Sequence, residues 1–332
     1  MNQWLPARKK VKVRMSNLKR FFIIGAAFSI TTVPALAVEY AMGRTLPGVW
    51  IQPQVGVVGP ETAFSFTAMP LGYMGAIGGG RLVPIGGSIF ANVDANVSGN
   101  YLVPEYVYKT ETPKVSFASS AMVPIFWVGA NGSLQLSSNN LAPSASSSNG
   151  GVGDMVALPL TLGIHFSENN NLAVSTWIFA PTGQWRAANL SNLGMGEWTV
   201  MPNVGHTYLW KNRGLEFDNF IGFDIYTQNR TTKYKSGTMF HWDVMVIQHL
   251  SERVGFGVIG SNLTQITNDT GPIANFLHGF EGRAWGVGPL VLYVSKVEKP
   301  GVFLQLRWIN EFKVTNLLKG NTLMLGVTLK FN

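Results

Sequence analysis

Charged side chains and histidines recur at every second position within several apolar stretches of the sequence. The stretch "GLEFDNFIGFDIYTQ" (214–228) places three carboxylates among apolar residues, and "HWD" places a histidine two residues before another carboxylate. Carboxylate, imidazole and guanidinium groups in such patterns can bind an ion, form ion pairs or contact a solute. The set to be explained is Glu216, Asp218, Asp224, His241, Asp243, Arg307, Glu311 and Lys313.

The spacing of these residues argues against a metal centre. On a strand that rises about 3.3 Å per residue, His241 and His249 lie about 25 Å apart, which is too far to share one ion. The sequence also lacks a Gly-x-Ser-x-Gly motif that would present a nucleophile. We therefore expect no catalytic residue, no metal and no other cofactor. We interpret the eight residues as a polar network in the interior of the β-barrel that the strand pattern described next predicts. Contact with an ion or a solute is the alternative role.

Alternation with a period of two predicts strands with one apolar and one polar face. In residues 214–228 one face carries Phe217 and Phe223, and the opposite face carries Asp218 and Asp224. Soluble sheets alternate in the same way, but their strands average about 5–6 residues, whereas these run to roughly 10–14, the length of a tilted bilayer crossing. A sheet edge in hydrocarbon would leave backbone groups unpaired, so the sheet must close. We predict an all-β fold, a transmembrane antiparallel up-and-down β-barrel.

Connection lengths predict how this barrel is oriented. Short and long connections alternate, with long ones at 59–89, 137–152 and 182–195. Outer-membrane barrels have short periplasmic turns, longer external loops, an even number of strands and both termini on the periplasmic side. The pattern predicts about 12 strands, near 49–58, 90–109, 114–136, 153–167, 171–181, 196–210, 214–228, 239–250, 254–266, 282–296, 301–314 and 321–331.

The first 37 residues are typical of a cleavable export signal. Seven basic residues precede the apolar stretch 21–33, and Ala35-Leu36-Ala37 fits the site that signal peptidase cuts. The apolar stretch is shorter than the roughly 20 residues of a membrane-spanning helix. We predict a signal peptide at 1–37, with translation starting at Met1 or Met15, and a barrel at 38–332 in the bacterial outer membrane.

Removal of this signal changes the meaning of the net charge. The chain has 25 basic and 17 acidic residues, a formal net charge of +8, but seven of the basic residues lie within the signal. The remaining chain is almost neutral and contains no Lys/Arg run, so nucleic acid is not an expected partner. Cysteine is absent, which excludes a fold held together by disulfides.

Eight motifs, taken together and in order, resemble one protein family. They are "GVGD" (151–154), "LPLTLGIHF" (158–166), "FAPTGQW" (179–185), "NLSNLG" (189–194), "YKSGTMFHWD" (234–243), "QITNDTG" (265–271), "GRAWGVGP" (282–289) and "RWINEF" (307–312). They are similar to the meta-pathway of phenol degradation family of outer-membrane barrel proteins, with weaker similarity from "LPGVW" (46–50). Barrels of this kind usually end on an aromatic residue. This chain departs from that pattern because it ends on Asn332, with the aromatic Phe331 one position earlier.

The resemblance implies an outer-membrane channel that passes small hydrophobic or aromatic compounds, which we expect to occur by passive diffusion. Expected partners are outer-membrane lipid, the barrel-assembly machinery and the small hydrophobic solute; the oligomeric state stays open. Two alternatives remain: a structural or adhesive barrel with a sealed lumen, and a hydrolase active at the rim. The apolar run in residues 63–89 leads us to hypothesise that this predicted loop folds into the mouth or lumen and lines the solute route.

Overall fold

The computed structural model describes residues 41–137, 140–277, 281–298 and 301–331, so the predicted signal peptide at 1–37 and Asn332 lie outside the described residues. Among the described residues, no helix is long and apolar enough to span a bilayer. The described elements are the strands β1 (Ala63–Ile85), β2 (Ser88–Tyr108), β3 (Val115–Ser137), β4 (Asn140–Val152), β5 (Val156–Ser167), β6 (Asn170–Phe179), β7 (Thr199–Trp210), β8 (Leu215–Tyr226), β9 (Met239–His249), β10 (Val254–Gln265), β11 (Arg283–Glu298), β12 (Gly301–Thr315) and β13 (Lys319–Phe331), with a short α-helix, α1 (Pro272–Phe276), and a 3₁₀ helix, Lys211–Arg213.

The strands form one closed antiparallel barrel. Strand β1 pairs with β2 on one side and with β13 on the other, which closes the sheet into a barrel. Strand β3 pairs with β4 from Ile125 onward and with β5 up to Met122, so β4 and β5 together make one interrupted wall strand. The wall therefore has twelve strands, and the predicted fold class is confirmed.

The two faces of the wall differ in the way the alternation predicts. On β8, Ile221, Phe223 and Ile225 are 36–45% exposed on the outer surface, whereas Asp218 and Asp224 face inward and are fully buried. Tryptophans at strand ends are also exposed, as an interfacial girdle requires: Trp198, Trp210, Trp242 and Trp285. The outer surface is thus apolar and suited to lipid.

The predicted first strand and first long loop were wrong. Residues 49–58 are not a strand, and the predicted loop 59–89 contains β1, which pairs with β13 from Phe64 opposite Phe331. Strand β1 passes into β2 through Gly86 and Gly87, both at positive φ, which suits a two-residue hairpin turn. Because β1 has several glycines and two prolines, too few of its side chains alternate to reveal the strand.

The predicted loop 137–152 was also wrong, because residues 140–152 form β4, paired antiparallel with β3. Small polar residues of that stretch carry no apolar alternation. The other connections follow the predicted order. Long ones at 180–198 and 227–238, and residues 266–277 of a third, lie at one end of the barrel, here called the external end. Short ones at 109–114, 168–169, 211–214 and 250–253 lie at the opposite end, here called the periplasmic end after the usual arrangement of such barrels.

Residues 41–60, here called the inner segment, run through the barrel from its external to its periplasmic end. The backbone carbonyl of Ala41 accepts a hydrogen bond from Leu318, in the external turn between β12 and β13, at 2.9 Å. Farther along, the Gly56 N–H donates to the Thr207 hydroxyl at 2.9 Å, and Pro60 accepts from Thr110 in a periplasmic turn. Both termini were predicted on the periplasmic side. Strand β13 ends there, but residue 41 lies at the external end, and the chain crosses the lumen before it enters β1.

Candidate functional site

Seven of the eight polar residues singled out by the sequence lie inside the barrel and are at most 1% exposed. They project inward from three strands because they share the polar phase of the alternation. Burial at this level means that each charged group needs partners within the protein. They are Glu216, Asp218 and Asp224 on β8, His241 and Asp243 on β9, and Arg307 and Glu311 on β12.

The carboxylates of β8 and β9 bind the inner segment. The Thr45 hydroxyl donates to Asp224 at 2.7 Å, and the Gln54 N–H donates to Glu216 at 2.9 Å. The Gly48 N–H points to Asp243 at 3.3 Å. The inner segment has no strand partner of its own, so wall carboxylates satisfy N–H groups that would otherwise be unpaired. The predicted network is therefore completed by a segment that the sequence analysis had placed in the wall.

Arg307 makes the complementary contacts with backbone carbonyls. Its Nη1 donates to the carbonyl of Gly48 at 2.9 Å and to that of Ile51 at 2.5 Å. Its Nη2 donates to the side chains of Gln52, at 3.1 Å, and Gln305. One guanidinium thus fixes the middle of the inner segment to β12.

Histidines extend the polar contacts without making a metal centre. His249 Nε2 lies 2.8 Å from Glu216, and His241 Nε2 lies 3.8 Å from Asp224. Asp218 accepts a hydrogen bond from the Thr207 hydroxyl at 2.5 Å. In the part of the chain that the structure describes, no three His, Asp or Glu side chains are arranged to hold a metal ion.

The last two predicted residues, Glu311 and Lys313, differ in burial. Glu311 accepts hydrogen bonds from the Gly320 N–H at 2.8 Å and the Tyr73 hydroxyl at 3.3 Å, which joins β12 to β13 and β1. Lys313 was predicted in the same network but is not part of the buried set, because its side chain is exposed. It adopts φ +49°, and the pairing of β11 with β12 shifts register near Arg283, so a bulge interrupts the alternation there.

Glycines allow the inner segment to lie directly against the wall in the periplasmic half. A Cβ atom added at Gly205 would stand 2.6 Å from the Val55 carbonyl oxygen, and one at Gly163 would stand 2.7 Å from Val58 Cβ. At Gly56 it would stand 2.6 Å from the Asn171 carbonyl oxygen. At these contacts not even a methyl group fits between segment and wall.

A serine, a histidine and an asparagine meet beside this contact. Ser116 Oγ is 2.8 Å from His165 Nε2, and His165 Nδ1 is 2.7 Å from Asn171 Oδ1. The order resembles the nucleophile, base and orienting group of a hydrolase. However, Ser116 is fully buried and its hydroxyl donates to the Val58 carbonyl at 2.7 Å. The arrangement anchors the inner segment, and the 49-residue separation of Ser116 and His165 hid it from sequence analysis.

An apolar cavity of about 170 Å³ lies across the lumen from β8 and β9. The inner segment, β1, β2, β3 and the external loop 180–198 form its walls, which include Leu71, Val93, Val97, Phe126 and Leu193. Residues 63–89 were hypothesised to fold into the lumen; they instead form the wall, and β1 reaches the cavity only through side chains such as Leu71. The lumen therefore has a polar half, lined by β8, β9 and β12, and an apolar half that contains the cavity, and the inner segment contacts both.

The two charged residues of the cavity wall neutralise each other. Arg44 Nη1 and Asp154 Oδ2 are 2.5 Å apart. Asp154 also accepts hydrogen bonds from the backbone N–H groups of Gly183, at 2.8 Å, and Met195, at 2.9 Å. One carboxylate thus joins both ends of the external loop to the inner segment. This role was not predicted, although Asp154 ends the "GVGD" motif and Arg44 is the only charged residue of the inner segment.

Aromatic rings pack beside the cavity. Trp50 of the inner segment lies 5.3 Å from Tyr101 and 5.2 Å from Trp177, measured between ring centroids. Tyr101 meets Phe126 edge to face at 5.0 Å. The indole N–H of Trp50 donates to the Thr45 hydroxyl at 3.1 Å. Aromatic pairs with this geometry present apolar ring surfaces against which a further aromatic ring can pack.

A closed twelve-strand barrel with an apolar outer surface and a polar, occupied interior defines the class of outer-membrane β-barrel proteins. Residues 75–326 match the family described as "Putative MetA-pathway of phenol degradation", and the chain belongs to this family. The resemblance drawn from the sequence motifs is thereby confirmed. No curated protein matches the chain.

The chain is also similar to solved structures of outer-membrane channels. The COG4313 outer membrane channel from Pseudomonas putida F1 is 15% identical, with a TM-score of 0.63 over 85% of this chain and 100% of that chain. A Pseudomonas aeruginosa FadL homologue is 8% identical, with a TM-score of 0.47 over 90% of this chain and 97% of that one. The CymD monoaromatic hydrocarbon channel, also 8% identical, has a TM-score of 0.40 with the same coverage. At such identities the likeness concerns the fold alone.

Proposed function

We propose that this protein is an outer-membrane channel through which small hydrophobic compounds, including aromatic ones, diffuse passively. The observation that carries the proposal is the apolar cavity between the inner segment and β1–β3. A cavity of about 150 Å³ lined by apolar side chains is large enough to bind benzene. At about 170 Å³, this one has the size of a single substituted ring. The family description, which names phenol degradation, supports the same class of solute.

The division of the lumen supports a route along its apolar half. A hydrocarbon gains nothing from the buried charges of β8, β9 and β12, and those groups are already engaged with the inner segment. The cavity instead lies beneath the external loop 180–198, so a solute would arrive from the external end. Outer-membrane lipid surrounds the barrel in this proposal, and the barrel-assembly machinery inserts it after export.

The proposed route can be tested by a substitution that fills the cavity with a larger side chain. Ala95, on β2, is 6% exposed and lines the cavity. We expect Ala95→Phe to slow uptake of radiolabelled toluene by cells that rely on this gene, and to slow growth on limiting toluene. The matched control is Ala121→Phe on β3, whose side chain is exposed. Equal uptake by wild type and Ala95→Phe, at equal amounts of folded barrel, would exclude the cavity from the route.

A second candidate is a structural barrel with a sealed lumen. The direct contacts of Gly205 with Val55 and of Gly56 with Asn171 favour it, because they close the periplasmic half of the lumen. Gene deletion separates the two functions. A sealed barrel leaves uptake of limiting aromatic compounds unchanged when the gene is removed, whereas a channel does not.

A further inference from the structure

The hydroxyl group of Tyr101 differs from the other polar side-chain groups around the cavity in its hydrogen bonding. Its ring is held between Trp50, at 5.3 Å, and Phe126, at 5.0 Å, so the side chain has little freedom to turn away. Tyr101 lines the cavity. Within the described ranges its hydroxyl has no hydrogen-bond partner, although Tyr hydroxyls in apolar surroundings usually have one.

Other polar side chains of the cavity wall are already paired. The Arg44 guanidinium donates to Asp154, to the Thr199 hydroxyl at 3.0 Å and to the Glu197 carbonyl at 2.9 Å. Asn192 accepts from the Arg186 N–H and donates to the Arg186 carbonyl, both at 2.8 Å. A solute in the cavity therefore meets apolar side chains and one phenolic hydroxyl that is free to donate or accept a hydrogen bond.

We propose that Tyr101 determines which solutes the cavity prefers. This proposal rests on the channel function proposed above. The Tyr101 hydroxyl hydrogen-bonds one polar substituent of the solute, so the cavity favours a neutral monocyclic ring with a hydroxyl group over a hydrocarbon of the same size. A hydrocarbon leaves the Tyr101 hydroxyl buried without a partner. A carboxylated ring is disfavoured for another reason. The charge of Arg44 is already balanced by Asp154, so the carboxylate would be buried unpaired.

Equilibrium dialysis of radiolabelled solutes against the full chain in detergent micelles tests this role, with protein-free micelles subtracted. Phenol and toluene are suitable probes, because a hydroxyl and a methyl group are similar in size. Tyr101→Phe removes one oxygen and keeps the ring packing. We expect it to weaken phenol binding about two- to tenfold, the value of one hydrogen bond, and to leave toluene binding unchanged. The matched control is Tyr106→Phe, on the same strand but 44% exposed, which should change neither.

Three outcomes would overturn the inference. The first is an unchanged ratio of phenol to toluene affinity in Tyr101→Phe. The second is an equal loss of affinity for phenol and toluene, which would show that the substitution acts through packing and not through the Tyr101 hydroxyl. The third is benzoate binding as tightly as phenol to the wild type. In each case, binding that Ala95→Phe abolishes would still support the proposed function. If neither neutral solute bound the wild type above the micelle background, the cavity itself would fail as a solute site, and with it the proposed function.

Discussion

Arg44 and Asp154 form an ion pair at 2.5 Å between the inner segment and the interruption of the wall between β4 and β5. Both side chains are almost fully buried, at 7% and 2% exposure. Asp154 also binds the two ends of the external loop through Gly183 and Met195. The pair therefore couples three parts of the molecule, the inner segment, the wall and the loop, at the edge of the apolar cavity.

Asp154→Ala should loosen both the loop and the inner segment. Removing one partner of a buried ion pair typically costs about 3–5 kcal/mol, since the other charge remains buried. We expect trypsin to cleave faster after Arg186, which is exposed within the loop, and the barrel band on gels to convert to the unfolded form at lower temperature. The control is Glu168→Ala, which breaks the surface pair with Lys211 and should change neither property. Cleavage at the wild-type rate would show that Asp154 does not hold the loop.

Gly205→Val should displace the inner segment from the wall. An added Cβ would overlap the Val55 carbonyl oxygen, which is a backbone atom and cannot rotate away. We expect larger or more frequent single-channel steps in planar bilayers than for the wild type, because water can then enter the periplasmic half of the lumen. Gly260→Val is the control, since no atom lies within 4 Å of its added Cβ. The closed-lumen interpretation fails if the wild type already conducts as well as Gly205→Val.

Arg307→Met and Lys313→Met should differ, although both remove a basic residue from β12. Arg307 is buried and serves the carbonyls of Gly48 and Ile51 as well as interacting electrostatically with Asp243. Its loss leaves two buried backbone carbonyls short of donors, so we expect the free energy of unfolding to fall by about 1–3 kcal/mol per carbonyl, measured by reversible urea unfolding in lipid vesicles. Lys313 is exposed, and its variant should unfold like the wild type. Equal effects would contradict the inward and outward assignments.

Ser116→Ala tests the hydrolase alternative. The Ser116 hydroxyl donates to Val58, so its removal leaves a buried carbonyl without a donor and should cost about 1–3 kcal/mol. We expect the wild type and the variant to hydrolyse phospholipids and p-nitrophenyl esters no faster than empty micelles do. Ester turnover by the wild type that disappears in Ser116→Ala would instead identify Ser116 as a nucleophile.

Sequence determined the strands in which alternation is carried by large side chains. In β8, Phe223 and Asp224 point to opposite faces because side-chain direction along a strand is a local property of the backbone. The same reasoning failed for β1 and β4, where glycine, proline and serine carry little alternation. It also failed at Lys313, because a bulge depends on the pairing of two strands and changes the phase of one of them.

The sequence by itself therefore determined the class of fold, the inward position of the acidic residues on β8 and β9, and the family. Tertiary structure decided what those residues bind and where a solute can fit. Thr45 and Asp224 are 179 residues apart, and Arg44 and Asp154 are 110 apart. No local period encodes such contacts, because they arise only when the closed wall surrounds a segment that has no strand of its own. The apolar cavity is likewise the space left when that segment packs against the polar half of the lumen.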